Sequence, residues 1–261
     1  LAELGDIRVF ILTFAFAMPR ILGMFTVLPF FSQQALPGIL RMGVAASLSL
    51  MVAPLVIPAA SRPDLDGLLI AAIVLKEVLI GFLLGYLVAI LFWGIEAIGF
   101  FIDNQRGATM SSSMNPFTGV DTSILGMLLN QAITVFFFTS GAFLLLLAGL
   151  YETYALWPVD SFWPRFHFGD SLFFLGQLDR LMYLGIIFAS PVIIAMFLSE
   201  LGLALISRFA PQLQVFFLAM PIKSAVGVLV LAIYVQFLFD YMGPELTLAV
   251  DLAEMARRLF P

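Results

Sequence analysis

Cysteine is absent from this 261-residue chain, and histidine occurs once, as His167. The first absence excludes disulfides, thiol catalysis and thiolate metal sites. The second leaves little from which to assemble a histidine-based catalytic group. His167 lies in Arg-Phe-His-Phe-Gly-Asp, with Asp170 three residues on and no metal-ligand spacing around it. The serines at 111–113 have no base in sequence range and read as loop. No glycine-rich phosphate loop precedes a Lys-Ser/Thr, and there is no Gly-x-Ser-x-Gly. The residues point to a protein that is not an enzyme and needs no cofactor.

Charge is scarce as well, at 11% of residues against about 25% in soluble domains. Twelve basic residues are scattered and the net charge is −5, which argues against nucleic acid as a partner. In their place stand 62% hydrophobic residues, 28 of them phenylalanine, and a mean hydropathy of +1.09. A soluble core of this size cannot hide so much apolar surface. The expected class is all-α, an integral membrane or membrane-assembly protein with kinked and broken helices.

Charge-poor runs cover roughly 7–31, 42–61, 67–102, 122–151, 171–207 and 209–239. The longest without a single charge is 122–151, thirty residues and enough to span a hydrocarbon core with tilt. The first run, from Ile7, lacks a basic flank and a small-residue cleavage site and reads as mature structure. Pro19, Pro29, Pro54, Pro58, Pro191, Pro211 and Pro221 punctuate the runs, and bent or split helices are expected from them. Gly81 and Gly85 have a small-xxx-small spacing that lets helix backbones approach. The polar stretch 152–180, with Trp157, Trp163 and His167, suits a membrane-interface belt. Beyond Gly243-Pro244, Leu248, Leu252, Met255 and Leu259 form one stripe of an amphipathic tail for a membrane surface or a partner. Basic residues fall on too many connections to orient the chain in a membrane.

Charges inside apolar segments are expensive and usually face protein or water. At about 100° per residue, Glu96, Gly99, Asp103 and Arg106 share one stripe of a helix. Asp103 and Arg106 can pair, and Gly99 leaves room for a close neighbour. The alternative is a solvated helix end whose charges face water. A second lead is the stretch 199–223. If the chain folds back at Pro211-Gln212, Glu200 faces Lys223, and an ion pair would set the register of the hairpin. The alternative there is that both side chains reach out to an interface.

The stretches Ile-Asp-Asn-Gln-Arg-Gly-Ala-Thr-Met-Ser-Ser-Ser-Met-Asn-Pro-Phe-Thr-Gly and Ser-Arg-Phe-Ala-Pro-Gln-Leu-Gln-Val-Phe-Phe-Leu-Ala-Met-Pro-Ile-Lys carry a family resemblance. They resemble the signature regions of the export-gate subunit shared by flagella (FliR) and virulence type III secretion systems (the YscT/SpaR type). The run Asp103-Asn104-Gln105-Arg106-Gly107 is more similar to the virulence branch. In the second stretch Arg208, Pro211, Gln212, Val215, Phe216, Pro221 and Lys223 fit the family pattern, whereas Gln214 stands where the family often has Asn. The resemblance extends over nearly the whole chain.

That resemblance implies a core component of the export gate in the bacterial inner membrane, partly raised above the bilayer. It implies P-type and Q-type partner subunits, a switch (U-type) subunit nearby, and unfolded secreted polypeptides as substrates. Residues 1–160 would be P-like, and 161–261 a Q-like hairpin turning near Pro211 and ending in the amphipathic tail. The loop 107–121 would project into the pore and plug it, rooted by Glu96, Gly99, Asp103, Arg106 and Gly107. Met110, Met114 and Phe117 would fill the lumen, with Asn115-Pro116 disfavouring helix between them. Glu200, Arg208, Pro211 and Lys223 would set the hairpin. The rival readings are a flagellar export-gate subunit and a solute or ion transporter.

Overall fold

The computed structural model describes residues 2–32, 36–107, 123–161, 170–209 and 215–250. Among them there is no strand. Seven α-helices follow in order: α1 (Ala2–Val27), α2 (Gly38–Ala60), α3 (Gly67–Arg106), α4 (Ile124–Thr139), α5 (Ala142–Leu156), α6 (Asp170–Phe209) and α7 (Val215–Val250), with a short 3-10 turn at Pro29–Phe31. A chain this apolar must satisfy its backbone internally away from water, and continuous helix does so residue by residue. Five helices are long and apolar enough to cross a membrane, or six spans if the bent pair α4 and α5 counts as one. This is an all-α membrane protein. Helices α3 and α6 have 40 residues each, a contour of about 60 Å.

One expectation is corrected. The run 122–151 is not one helix: it breaks at Ser140-Gly141, where Gly141 takes φ +81. Nothing but glycine adopts that left-handed conformation cheaply, so the break is written there and not at a proline. Conversely Pro19, Pro54, Pro58, Pro191, Pro221 and Pro244 lie inside unbroken helices. Helix α7 therefore continues past Gly243-Pro244. The stripe positions Leu252, Met255 and Leu259 lie outside the described residues.

The described residues group into two compact units. The first takes α1, α2, the part of α3 up to Ile90, and α5. Helices α1 and α3 meet backbone to backbone. A methyl group on Gly23 would come within 2.5 Å of the Val78 carbonyl oxygen, and one on Gly85 within 2.7 Å of that of Met24. One on Gly81 would overlap the Arg20 carbonyl. The glycines therefore let two backbones touch, as their spacing suggested. Phe16, Ile21, Met24 and Phe25 fill the adjoining core, and Phe25 stacks on Phe31 with centroids 3.8 Å apart. Helix α2 buries Ala45, Ser49, Val52, Val56 and Ala59, a stripe at helical spacing, while Leu50, Met51 and Leu55 remain exposed. Trp157 and Tyr154 are buried in this unit and do not form an outward aromatic belt.

The second unit holds the rest of α3 from Leu91, α4, and most of α6 and α7. Phe92 meets Phe137 edge-on at 5.5 Å, and Phe136 approaches Phe239 at 6.1 Å. On the long antiparallel pair α6 and α7, Gly227 leaves room for the Met196 side chain. Outward faces of both helices stay apolar and open, among them Ile194, Phe197, Leu201, Leu229, Ile233 and Phe237.

Candidate functional site

The candidate site is built at the C-terminal end of α3, in the second unit. The helix stops at Gly107, whose φ of +80 is the left-handed terminating conformation and whose N–H donates to the Asn104 carbonyl at 3.1 Å. Across from it α4 begins. Ser123 is its N-cap: Oγ accepts the Gly126 N–H at 2.8 Å. The Ser123 hydroxyl in turn donates to Asp103 Oδ2 at 2.7 Å, and the Leu125 N–H donates to the same oxygen at 3.0 Å. Asp103 is thus a buried carboxylate at the positive end of a helix, where negative charge is favoured. Its other oxygen lies 2.7 Å from Arg106 Nη2, an ion pair by distance without hydrogen-bond geometry.

Close backbone approach makes this possible. A methyl group on Gly99 would overlap Gly126, and one on Gly126 would lie 2.9 Å from the Glu96 carbonyl. One turn further back, Asn130 Nδ2 donates to Glu96 Oε2 at 2.8 Å. Glu96, Gly99 and Asp103 on α3 therefore oppose Asn130, Gly126 and Ser123 on α4. Arg106 is less completely served. Its Nη1 reaches Ser224 Oγ of α7 at 3.4 Å, and Nε is buried with no hydrogen-bond partner among the described residues. A buried donor left so costs about 1–3 kcal/mol.

The hairpin residues also come together. Lys223 Nζ donates to Glu200 Oε2 at 3.1 Å, and Gly227, four residues on in α7, meets Met196, four residues back in α6. Arg208 sits exposed in the last turn of α6. Pro211, Met110, Met114, Asn115, Pro116, Phe117 and His167 lie outside the described residues.

The stripe on α3 was legible from helical spacing, but the donors that face it on α4 were not named. Ser123, directly before an apolar run, bears the N-cap signature that would have found it. A second cluster, in the first unit, escaped the sequence reading altogether. Arg20 and Glu77 are both 0% exposed and paired at 2.6 Å. Arg20 also donates to Thr153 Oγ1 at 3.1 Å and to the Trp157 carbonyl at 3.0 Å, with its guanidinium 4.0 Å from the Tyr154 ring centroid. Lys76 Nζ lies 2.8 Å from Glu77 Oε1 and donates to the carbonyls of Val159 at 2.8 Å and Ser161 at 3.0 Å. Two cations and one carboxylate thereby tie α1, α3 and the end of α5. In sequence Arg20, Lys76 and Glu77 look only like interruptions of apolar runs. No group of three metal-ligating side chains occurs among the described residues.

The model of bacterial export proteins, family 1, matches residues 11–248. The Yop proteins translocation protein T of Yersinia pestis is 43% identical over 244 residues, covering 92% of each chain. The surface presentation of antigens protein SpaR of Salmonella typhimurium is 34% identical over 221 residues, covering 84% of this chain and 81% of its own. The flagellar biosynthetic protein FliR of Bacillus subtilis is more distant, at 27% over 234 residues and 89% of each chain. With an all-α membrane fold and matches that span nearly the whole length, the chain belongs to the bacterial export proteins of family 1, on the side of the T-type secretion proteins more than of FliR.

Proposed function

We propose that the chain is the T-type subunit of a type III secretion export gate in the bacterial inner membrane. With P-type and Q-type subunits, and a U-type switch subunit close by, it forms part of the pore for unfolded secretion substrates. The segment 107–121 closes that pore. Met110, Met114 and Phe117 supply the apolar constriction, and thioethers conform around whatever passes. Energy comes from elsewhere in the apparatus. Residues 1–160 act as the P-like part, and 161–261 as the Q-like hairpin about Pro211, its register set by Glu200, Lys223 and Arg208.

The observation that carries the reading is the Asp103 carboxylate. It holds Arg106, just before the segment, and Ser123 and Leu125, just after it. A plug needs fixed roots on both sides, and one buried side chain supplies them. A second support is helix length: a contour of about 60 Å in α3 is twice a hydrocarbon core of about 30 Å. That suits a complex standing partly above the bilayer.

The test is to delete 107–121 and measure small-solute and ion leakage of cells carrying the assembled complex. Assembly with the partner subunits together with a leaky membrane is expected. An assembled complex that stays impermeable rules out the plug. Mild-detergent purification and intact-complex mass spectrometry check the partners, since a transporter would isolate alone or as a homo-oligomer.

A further inference from the structure

We propose that Ser224 and Met220 of α7 are positioning residues for the Asp103 clamp: they set where the Arg106 guanidinium stands, and so how firmly Asp103 holds the start of α4. The inference rests on the closure reading only for its consequence in secretion; as a statement about the clamp it stands by itself.

Polar contacts run unbroken from α7 to α4. Ser224 Oγ accepts from Arg106 Nη1 at 3.4 Å; Arg106 Nη2 lies 2.7 Å from Asp103 Oδ1; Asp103 Oδ2 accepts from Ser123 Oγ at 2.7 Å and from the Leu125 N–H at 3.0 Å. The contact with Ser224 is the long one, near the outer limit of a hydrogen bond. With Nε unpartnered among the described residues, the guanidinium is held by two groups on different helices. The two contacts use different nitrogens, so a slight slide of α7 draws the guanidinium out of place against Asp103.

Met220 lies four residues before Ser224, on the same face of α7. Its Cε would be 3.7 Å from a methyl group built on Gly107, so it stands against the residue that ends α3. Lys223, between them in sequence, is taken by Glu200 of α6. One turn of α7 is thus gripped on one side by the end of α3 and on another by α6. Movement of the α6–α7 pair reaches the clamp through that turn.

The test is hydrogen exchange on the chain within its detergent-solubilised export complex, comparing Ser224→Ala with the unaltered protein. Alanine keeps α7 helical and removes only the hydroxyl. Exchange at Leu125 and Gly126, whose N–H groups end on Asp103 and Ser123, should quicken roughly threefold, the scale of one modest hydrogen bond. Arg106→Lys, which keeps the charge but loses the fork, should quicken the same two amides. Unchanged exchange at Leu125 and Gly126 in Ser224→Ala overturns the proposal. So does an increase spread evenly over α6 and α7, which would mean general loosening. Leakage is read separately: a tight membrane after deletion of 107–121 defeats the plug, while the amides alone decide the role of Ser224.

Discussion

Arg20 and Glu77 stand 57 positions apart in the chain and meet at 2.6 Å where neither has any solvent contact. Burying such a pair is poor evidence of net stability, because desolvation offsets the attraction. Breaking it is another matter. Arg20→Met leaves Glu77 with only Lys76, and Glu77→Met leaves two cations without their carboxylate. Each single change should destabilise the detergent-solubilised protein by about 3–5 kcal/mol, and the double change should recover part of that loss. Thermal unfolding of the four proteins, read as a double-mutant cycle, checks it; additive losses would contradict it.

The α1–α3 contact yields a prediction of sign. In an ordinary helix interior Gly→Ala stabilises by about 1 kcal/mol. Gly43 in α2 has nothing within 4 Å of an added methyl group, so Gly43→Ala should follow that rule. Gly81→Ala drives its methyl group into the Arg20 backbone, which cannot step aside as a side chain could. It should lower the yield of folded protein sharply. Comparable yields for the two variants would show that the helices can separate at little cost.

Asp103 offers a graded test. Asp103→Asn keeps an acceptor for Ser123 and Leu125 but loses the charge that holds Arg106. Asp103→Ala loses both and strands the buried Ser123 hydroxyl with the part-buried Leu125 N–H and Arg106. The alanine variant should be less stable by about 3–5 kcal/mol, with asparagine clearly milder. If the clamp roots a plug, both variants leak, alanine more. Equal stability of the two variants would mean that the Ser123 and Leu125 contacts add nothing.

The Glu200–Lys223 pair is more modest, because 45% of the glutamate side chain meets solvent against 13% of the lysine. An ion pair so placed contributes about 1 kcal/mol or less. Its worth lies in register, and so in assembly yield. Glu200→Lys and Lys223→Glu should each reduce the recovered complex, and the exchanged double variant should restore most of it. No recovery in the double variant would remove the pairing from the account.

What the sequence shows and conceals follows from the range of each interaction. Glu96, Gly99, Asp103 and Arg106 were visible together because a helix converts spacing into a face. Glu200 and Lys223 could be opposed because they are symmetric about Pro211-Gln212. Arg20 and Glu77 belong to different helices with no such symmetry, so nothing local announces their meeting. The bend at Gly141 was missed for a different reason. A lone glycine in a greasy run is tolerated inside helices as often as it ends one. The prolines mark no break in helix: α1, α2, α6 and α7 run on across them.

Helix α3 has one further consequence. Its 40 residues are apolar along almost their whole course, yet lipid tails can solvate only about half of so long a rod. On α3 the chain's own helices cover much of the remainder, for 67% of its most apolar stretch is buried. Helix α6 is as long and only 33% buried over the same measure, so its remainder must lie against other polypeptide or stand in water with its grease showing. A molecule with such a rod has a solubility problem on its own, so its synthesis and its assembly have to be matched in time.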